Sequence, residues 1–367
     1  MEGAGDMVWV AVPFAAGVSA GAFLAIRCGL SSGLSGLLAP LCLLPVAILL
    51  LWLSQEKTGT PVDDRVAVSL SAAFCGMFCY LGWHCRGDAG LDGPVTRMAA
   101  RCVAALRAHI DSIPYSGGQS AALVKALISG DRSGLSRESV AAFRSSGASH
   151  LLALSGLHLG FIYLMIKRLS AALPWHGPRA DAARAGAVTG LCGFYTLMTG
   201  AGPSIVRAFL FILINEISSI CPGRKREPGR TLLSALTIQL AISPGVITTV
   251  GFQLSYLAMT GIIWIFPHME AWYPESRSPI RRLWVMASLS ISCQATTAPL
   301  AWLYFHSFPK YFLITNLIAM PLTSAVMAIS IAVLIFSALG VCPHWLILLD
   351  DRTLGLLLHV LHIISSM

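Results

Sequence analysis

Charged residues are scarce in this sequence: Asp, Glu, Lys and Arg make up 11% of 367 residues, where a soluble domain carries about 25%. Hydrophobic residues reach 56% and mean hydropathy is +0.73, which excludes an ordinary soluble globular fold. Lys and Arg are also missing before the first apolar run, Val8 to Ile26, where Glu2 and Asp6 stand instead. A cleaved secretory signal needs a basic leader, so this run is predicted to persist as a first membrane helix. The cysteines form no metal cluster: Cys75 and Cys79 lie four apart on one apolar stretch, no second pair completes a site, and no metal or cofactor is expected. There is no Walker motif, so energy for any transport has to come from outside the chain. An internal repeat, common among small-solute transporters, is missing too.

What is present is a series of apolar runs. A hydrocarbon core about 30 Å thick takes roughly 20 helical residues per crossing, and only helices or closed barrels satisfy the backbone there. After Val8–Ile26 come Leu37 to Leu53, Val66 to Trp83, His150 to Met165, Arg184 to Thr199, Pro203 to Ile220, Thr231 to Ile242, Val246 to Pro267, Leu283 to Phe305 and Phe312 to Leu339. A last run, Trp345 to Ile364, contains Asp350, Asp351 and Arg352. Each such charge costs about 2.5–3.5 kcal/mol at a helix centre, which favours an amphipathic surface helix there. The expected fold is therefore all-α, a polytopic transmembrane bundle of ten or eleven crossings. Pro203, Pro244, Pro299 and Pro321 are expected to turn or interrupt these runs.

Between His84 and Ser149 the character changes. RMAARCVAALRAHIDSI sets Met98, Cys102, Val103, Leu106, Ile110 and Ile113 on one side and Arg97, Arg101 and Arg107 mostly on the other. SRESVAAFRSSG is predicted to be a short helix with Ser136 as N-cap, Glu138 in the first turn and Gly147 at the stop. The organisation is thus 1–83, three leading helices; 84–149, an amphipathic segment; and 150–367, the main bundle. Basic loops IKRLSAALPWHGPRADAAR, CPGRKREPGR and SPIRR are expected to face the cytoplasm, which leaves 84–149 exterior and the N-terminus inside. Cys85 and Cys102, the two cysteines of this segment, lie where a disulfide is redox-permitted.

The stretch HLLALSGLHLGF, His150 to Phe161, concentrates polar residues in an apolar run. On a straight helix His150 and His158 would be about 12 Å and roughly 80° apart, too far to share one zinc ion. Ser155 and His158, three apart, are close enough for a histidine-activated serine. ALSG at 153–156 loosely resembles the rhomboid Gly-x-Ser-Gly motif but departs from it at Ala153. The packing alternative is a small-xxx-small face at Gly156 and Gly160 on a helix capped by Ser149.

ALISGDRSGLSRESVAAFRSSGASHLLALSGLHLGF, residues 126–161, resembles the signature region of the ComEC-type competence family. GAGPSIVRAF at 200–209, FQLSYLAMTGI at 252–262 and TTAPLAWLYFHSFPKYFLITNLIAMPL at 296–322 follow in the family's order. The resemblance implies a bacterial inner-membrane channel for single-stranded DNA in natural transformation, not an enzyme. It also implies an exterior DNA receptor, a cytoplasmic ATPase and single-strand-binding proteins as partners, beside the lipid bilayer. Many members insert an OB-fold domain and end in a metallo-β-lactamase-like domain. Neither fits here, since only His84 to Val95 separates the third helix from the amphipathic segment and no HxHxDH motif occurs. The sequence is therefore expected to hold the channel core, with any nuclease supplied separately. A small-solute transporter and an intramembrane serine hydrolase are the competing function classes.

A conduit for single-stranded DNA has to be wet, mildly basic and weakly binding. The expected path residues are Arg207, Asn215, Glu216, Gln239, Gln253, Ser255, Gln294, Thr296, Thr297 and Asn316, all polar positions within apolar runs. Each has a structural alternative as an interhelical bridge, and Arg207 could snorkel to the interface. The aromatics Trp302, Tyr304, Phe305 and Phe308 suit a path or an interfacial belt. Arg97, Arg101, Arg107, Arg132, Arg137 and Arg144 form a candidate exterior entrance for phosphate, offset in part by Asp88, Asp92, Asp111, Asp131 and Glu138.

Overall fold

The computed structural model describes residues 2–43, 45–46, 61–86, 93–171, 177–220, 227–273, 278–306 and 309–366. Asp88, Asp92, Phe308, the later part of the run Leu37 to Leu53 and most of the loop CPGRKREPGR lie outside them. The described residues form helices and no strand. Five helices are long and apolar enough to cross a membrane: Met7–Arg27, Val68–Cys85, Pro203–Ile220, Val250–Glu270 and Phe312–Ala338. The described residues of the other runs are largely helical as well, but those helices are shorter or more polar. The chain is a multi-pass helical membrane protein.

It divides into two compact units. The first comprises Met1–Asp92 and Leu210–Tyr256. It contains α1 (Glu2–Arg27), α2 (Ser32–Leu41) and α3 (Pro61–Arg86). α1 and α3 run parallel, since their contacts advance together: Ser69 Oγ donates to the Trp9 carbonyl at 2.9 Å, and Gly21 faces Met77 and Tyr80. Parallel neighbours are what an up, down, up order of three leading runs requires. Their backbones touch at glycine: a Cβ on Gly17 would overlap the Ala73 carbonyl, and one on Gly76 would overlap that of Phe14. Lipid offers no hydrophobic drive for two helices to associate, so close approach through small residues supplies the dispersion contact instead.

The second unit comprises Gly93–Phe209 and Leu257–Met367. It contains α4 (Pro94–Ser112), α5 (Ser120–Ser129), α6 (Arg137–Ser145), the four-residue α7 (Ser149–Leu152), α8 (Gly156–Ala171) and α9 (Pro178–Met198). α10 (Pro203–Ile220) begins in this unit and ends in the first, where α11 (Pro228–Ile242), a 3-10 turn at Pro244–Thr248 and most of α12 (Val250–Thr260) follow. The chain returns to the second unit through a π-helical turn, Gly261–Ile265, and α13 (Phe266–Glu270). α14 (Pro279–Phe305), α15 (Phe312–Ala338) and α16 (His344–Ser366) complete it.

Local signals hold in the amphipathic segment. Ser136 Oγ accepts from Ser139 N at 3.0 Å at the start of α6, Glu138 stands in its first turn, and Gly147 adopts the left-handed φ of +81° just beyond it. These helices are not a surface layer. Ile110, Leu123, Leu127, Phe143 and Leu151 share one core with Val326 and Val333 of α15 and Leu354, Leu357 and Leu361 of α16.

Two expectations are corrected, the interruptions at Pro299 and Pro321 and the single helix from His150. Pro299 and Pro321 sit inside the continuous helices α14 and α15, while Pro203 and Pro244 begin elements. The run from His150 is not one helix, because Ala153, Leu154 and Ser155 break it between α7 and α8, and Ser149 does not cap it. Cys85 and Cys102 are free thiols.

Candidate functional site

The break at 153–155 is held by the side chains that drew attention in the sequence. Ser155 Oγ accepts from Leu157 N at 3.2 Å, which satisfies one of the unpaired donors at the start of α8. His158 answers it: its Nδ1 accepts from Ser155 N at 3.3 Å and lies 3.1 Å from Ser155 Oγ. This reciprocal bonding is the logic of a capping box with histidine in the glutamate position. Accepting at Nδ1 puts the ring proton on Nε2, and that atom is buried with no partner among the described residues. A hydrolytic serine would need the imidazole oriented by a third group, which the described residues do not supply. His150 is exposed, with Nδ1 3.2 Å from the Gly147 carbonyl oxygen.

α8 starts against α10. A Cβ on Gly156 would stand 3.4 Å from Ala208 Cβ and 3.4 Å from Arg207 Nη2, whereas around Gly160 nothing lies within 4 Å. The glycine face is thus used at its first position. Arg207 is 9% exposed and lies within electrostatic reach of the Cys293 thiol on α14. Its burial does not fit the alternative of an outward-snorkelling guanidinium. Thr296 Oγ1 and Thr297 Oγ1 donate to the Cys293 carbonyl at 3.0 and 2.8 Å, while Gln294 is half-buried. Asn316 Oδ1 on α15 is buried without a partner among the described residues.

The other expected path residues belong to the first unit. Glu216 is 5% exposed, and Asn215 lines a cavity of about 270 Å³ with Phe211, Ile212, Pro228 and Thr231. Gln239 Oε1 accepts from Tyr256 OH at 2.9 Å, and Gln253 Nε2 donates to the Ile247 carbonyl at 2.8 Å. Both glutamines therefore bridge protein groups. Ser255 is half-buried.

The six arginines of the amphipathic segment separate into two kinds. Arg107 bonds Ser129 Oγ at 3.1 Å and pairs with Asp131 at 3.4 Å, and Arg132 donates to the Leu152 carbonyl at 3.0 Å, next to the helix break. Hydrogen bonds from Ser133, with Arg107 assisting, hold the Asp131 carboxyl below its ordinary pKa. Arg97, Arg101, Arg137 and Arg144 are exposed, as an electrostatic entrance would need.

Sequence reasoning missed the bonding of two adjacent carboxylates, Asp350 and Asp351. Asp350 is 0% exposed and accepts from Tyr115 OH and Ser330 Oγ, each at 2.8 Å. Asp351 accepts from Ser116 Oγ at 2.6 Å, from Gly117 N at 3.1 Å and from Ser120 Oγ. Together they clasp the loop before α5 onto α16. A Cβ on Gly117 would crowd Ser120 Oγ and Asp351 Oδ1, so a larger residue there would have to displace the carboxylate or the hydroxyl that bonds it. Burial pushes Asp350 and Tyr115 up in pKa. Burial also opposes ionisation of Asp351, but the bonds from Ser116, Ser120 and Gly117 outweigh it and hold that pKa low. Adjacent charges within an apolar run were the available signal, because such charges ordinarily have partners.

The helix break, Arg207 and the clasp's carboxylates all fall inside residues 127–367, which match the Competence protein family. The chain belongs to this family. Among Competence relatives it is similar to ComE operon protein 3 of Bacillus subtilis (strain 168), 29% identical over 224 residues, 60% of this chain and 27% of that protein. It is also similar to the uncharacterized protein YcaI of Escherichia coli (strain K12), 24% identical over 321 residues, 83% of this chain and 39% of that protein. The chain thus matches well under half the length of either relative. No solved structure matches it.

Proposed function

We propose that this chain is the membrane-embedded part of a DNA-uptake system and conducts single-stranded DNA across the bacterial inner membrane during natural transformation, without acting as an enzyme. The observation that carries this reading is the Competence family match over residues 127–367, a span that includes the buried Arg207 at the broken helix. A buried guanidinium in an apolar helix is costly and marks a path for charge more often than a packing role. Ten or eleven crossings with the basic loops inside would put the exposed Arg97, Arg101, Arg137 and Arg144 on the exterior, where phosphate arrives. Partners would be an exterior DNA receptor, a cytoplasmic ATPase, single-strand-binding proteins and a separate nuclease.

Deleting the gene is expected to abolish internalisation of labelled DNA while surface binding persists; normal internalisation would end the proposal. Arg207→Ala is expected to remove uptake from a protein that still inserts, with Arg207→Lys restoring part of it, because a charge is needed more than a fork of donors.

The 3.1 Å approach of Ser155 to His158 favours one competing reading, an intramembrane serine hydrolase. Labelling of Ser155 by a serine-reactive phosphonate would support it, and an unlabelled protein would leave the pair as a helix cap.

A further inference from the structure

α15 carries polar residues at a spacing that keeps them on one stripe. Asn316, Thr323 and Ser330 follow one another at seven residues, each step turning the helix by only about −20° and rising about 10.5 Å. Thr323 and Ser330 are 0% and 1% exposed. Ser330 donates to Asp350, while Thr323 Oγ1 and Asn316 Oδ1 are buried with no partner among the described residues. Buried polar atoms of that kind are where ordered water resides.

Asp350, at the end of the stripe, has only neutral hydrogen-bond donors. The loop before α5 presents Tyr115, with Cys342 beside it. Its own helix presents Asp351, occupied by Ser116, Gly117 and Ser120, and the exposed Arg352. α5 contributes Lys125, paired with Asp111 at 2.7 Å, and α6 contributes Glu138, 3.5 Å from His362, beside Arg137 and Arg144, which are exposed. Among the described residues, no cation figures among the groups acting on Asp350. A lone ionised carboxylate in such a place costs several kcal/mol, and a like charge next to it adds to that cost. A neutral carboxyl avoids both, donating its proton to one of the two hydroxyls, whose own O–H rotates away.

We propose that Asp350 is a proton-binding site, occupied at neutral pH, and that the stripe Asn316, Thr323 and Ser330, with water between its members, carries the proton to and from it. Proton transfer along the stripe is the whole reaction: one carboxylate oxygen gains the proton that the last water gives up. The inference stands apart from DNA uptake.

Infrared difference spectra between acidic and alkaline pH, taken on the whole chain in phospholipid vesicles without DNA, test it. A protonated-carboxyl stretch that survives at neutral pH is expected in the wild type and lost in Asp350→Asn, which preserves size and, like a protonated carboxyl, offers one acceptor oxygen and one donor group. In Asp351→Asn the band is expected to persist and to titrate at lower pH, because the neighbouring negative charge is gone. Thr323→Val is expected to slow hydrogen–deuterium exchange of the same band. A band unchanged in Asp350→Asn would overturn the site, as would an unmoved midpoint in Asp351→Asn should the first variant not fold. Native exchange in Thr323→Val would overturn the route.

Discussion

Removing the carboxylate of Asp351 should release the loop before α5 from α16. Three donors lose their acceptor in Asp351→Ala: Ser116 Oγ, Gly117 N and Ser120 Oγ. Hydrogen bonds to a charged group are worth about 1.5–3 kcal/mol each when dry, and much less where water replaces the partner. Ser116 and Gly117 sit at the exposed edge of the clasp and recover water. Ser120 is 5% exposed and does not, so its bond dominates the loss. The expected destabilisation of the docked loop is about 2–4 kcal/mol, or roughly 30- to 1,000-fold in its opening constant.

Hydrogen–deuterium exchange of residues 113–123 measures that opening directly. pH supplies a second axis. Since Asp351 has a lowered pKa in the folded chain, its stabilisation is present above the ordinary carboxylate value and fades as pH falls through the lower folded value. Wild-type protection, corrected for intrinsic exchange, should therefore fall at acid pH, and Asp351→Ala should show no such fall. Equal protection in both proteins at neutral pH would refute the reasoning, because the bonds would then contribute nothing that water does not.

Gly17→Ala should destabilise the detergent-solubilised protein by about 1–3 kcal/mol through overpacking, read as a lower unfolding midpoint, whereas Gly82→Ala on α3, with nothing within 4 Å of its Cβ position, should not. Ser155→Ala should cost about 0.5–2 kcal/mol as a lost cap and leave DNA uptake intact; abolished uptake at normal abundance would show that the hydroxyl does more than cap. Arg132→Ala should loosen the turn around Leu152 and Ala153, read as faster exchange at 151–156 beside unchanged exchange in α4, since Arg132 holds the Leu152 carbonyl.

What was legible in the sequence depended on range. The Ser136 cap, the Gly147 stop and the helices Pro94–Ser112 and Arg137–Ser145 follow from residues a few positions apart and stand where the spacing predicts them, whereas the helix Ser120–Ser129 between them was not read from the sequence. The apolar runs became helices because burial of the backbone in lipid leaves little else. The break in HLLALSGLHLGF was hidden, since no proline or turn residue marks Ala153 and Leu154. It exists because His158 reaches back to Ser155, a histidine in the place a capping glutamate ordinarily takes. The clasp was further from view: Tyr115 and Asp350 are 235 residues apart, and no local periodicity carries such a pairing.

The same distances sort the polar positions of the proposed path. Gln239, Gln253, Thr296 and Thr297 each bond a named protein group, and Arg107 and Arg132 are tied to Asp131 and to the Leu152 carbonyl. A group engaged in this way would have to exchange a made bond for one to passing phosphate or base, which slows transport or unpicks the fold. The exposed Arg97, Arg101, Arg137 and Arg144 carry no such cost, so their replacement should weaken capture of DNA in a salt-dependent way while leaving the helices standing. Arg107 and Arg132 should behave in the opposite manner, affecting stability before uptake. The basic character of the segment is thus divided by partner rather than by position along the chain, and that division is what makes an electrostatic entrance separable from a structural one by experiment.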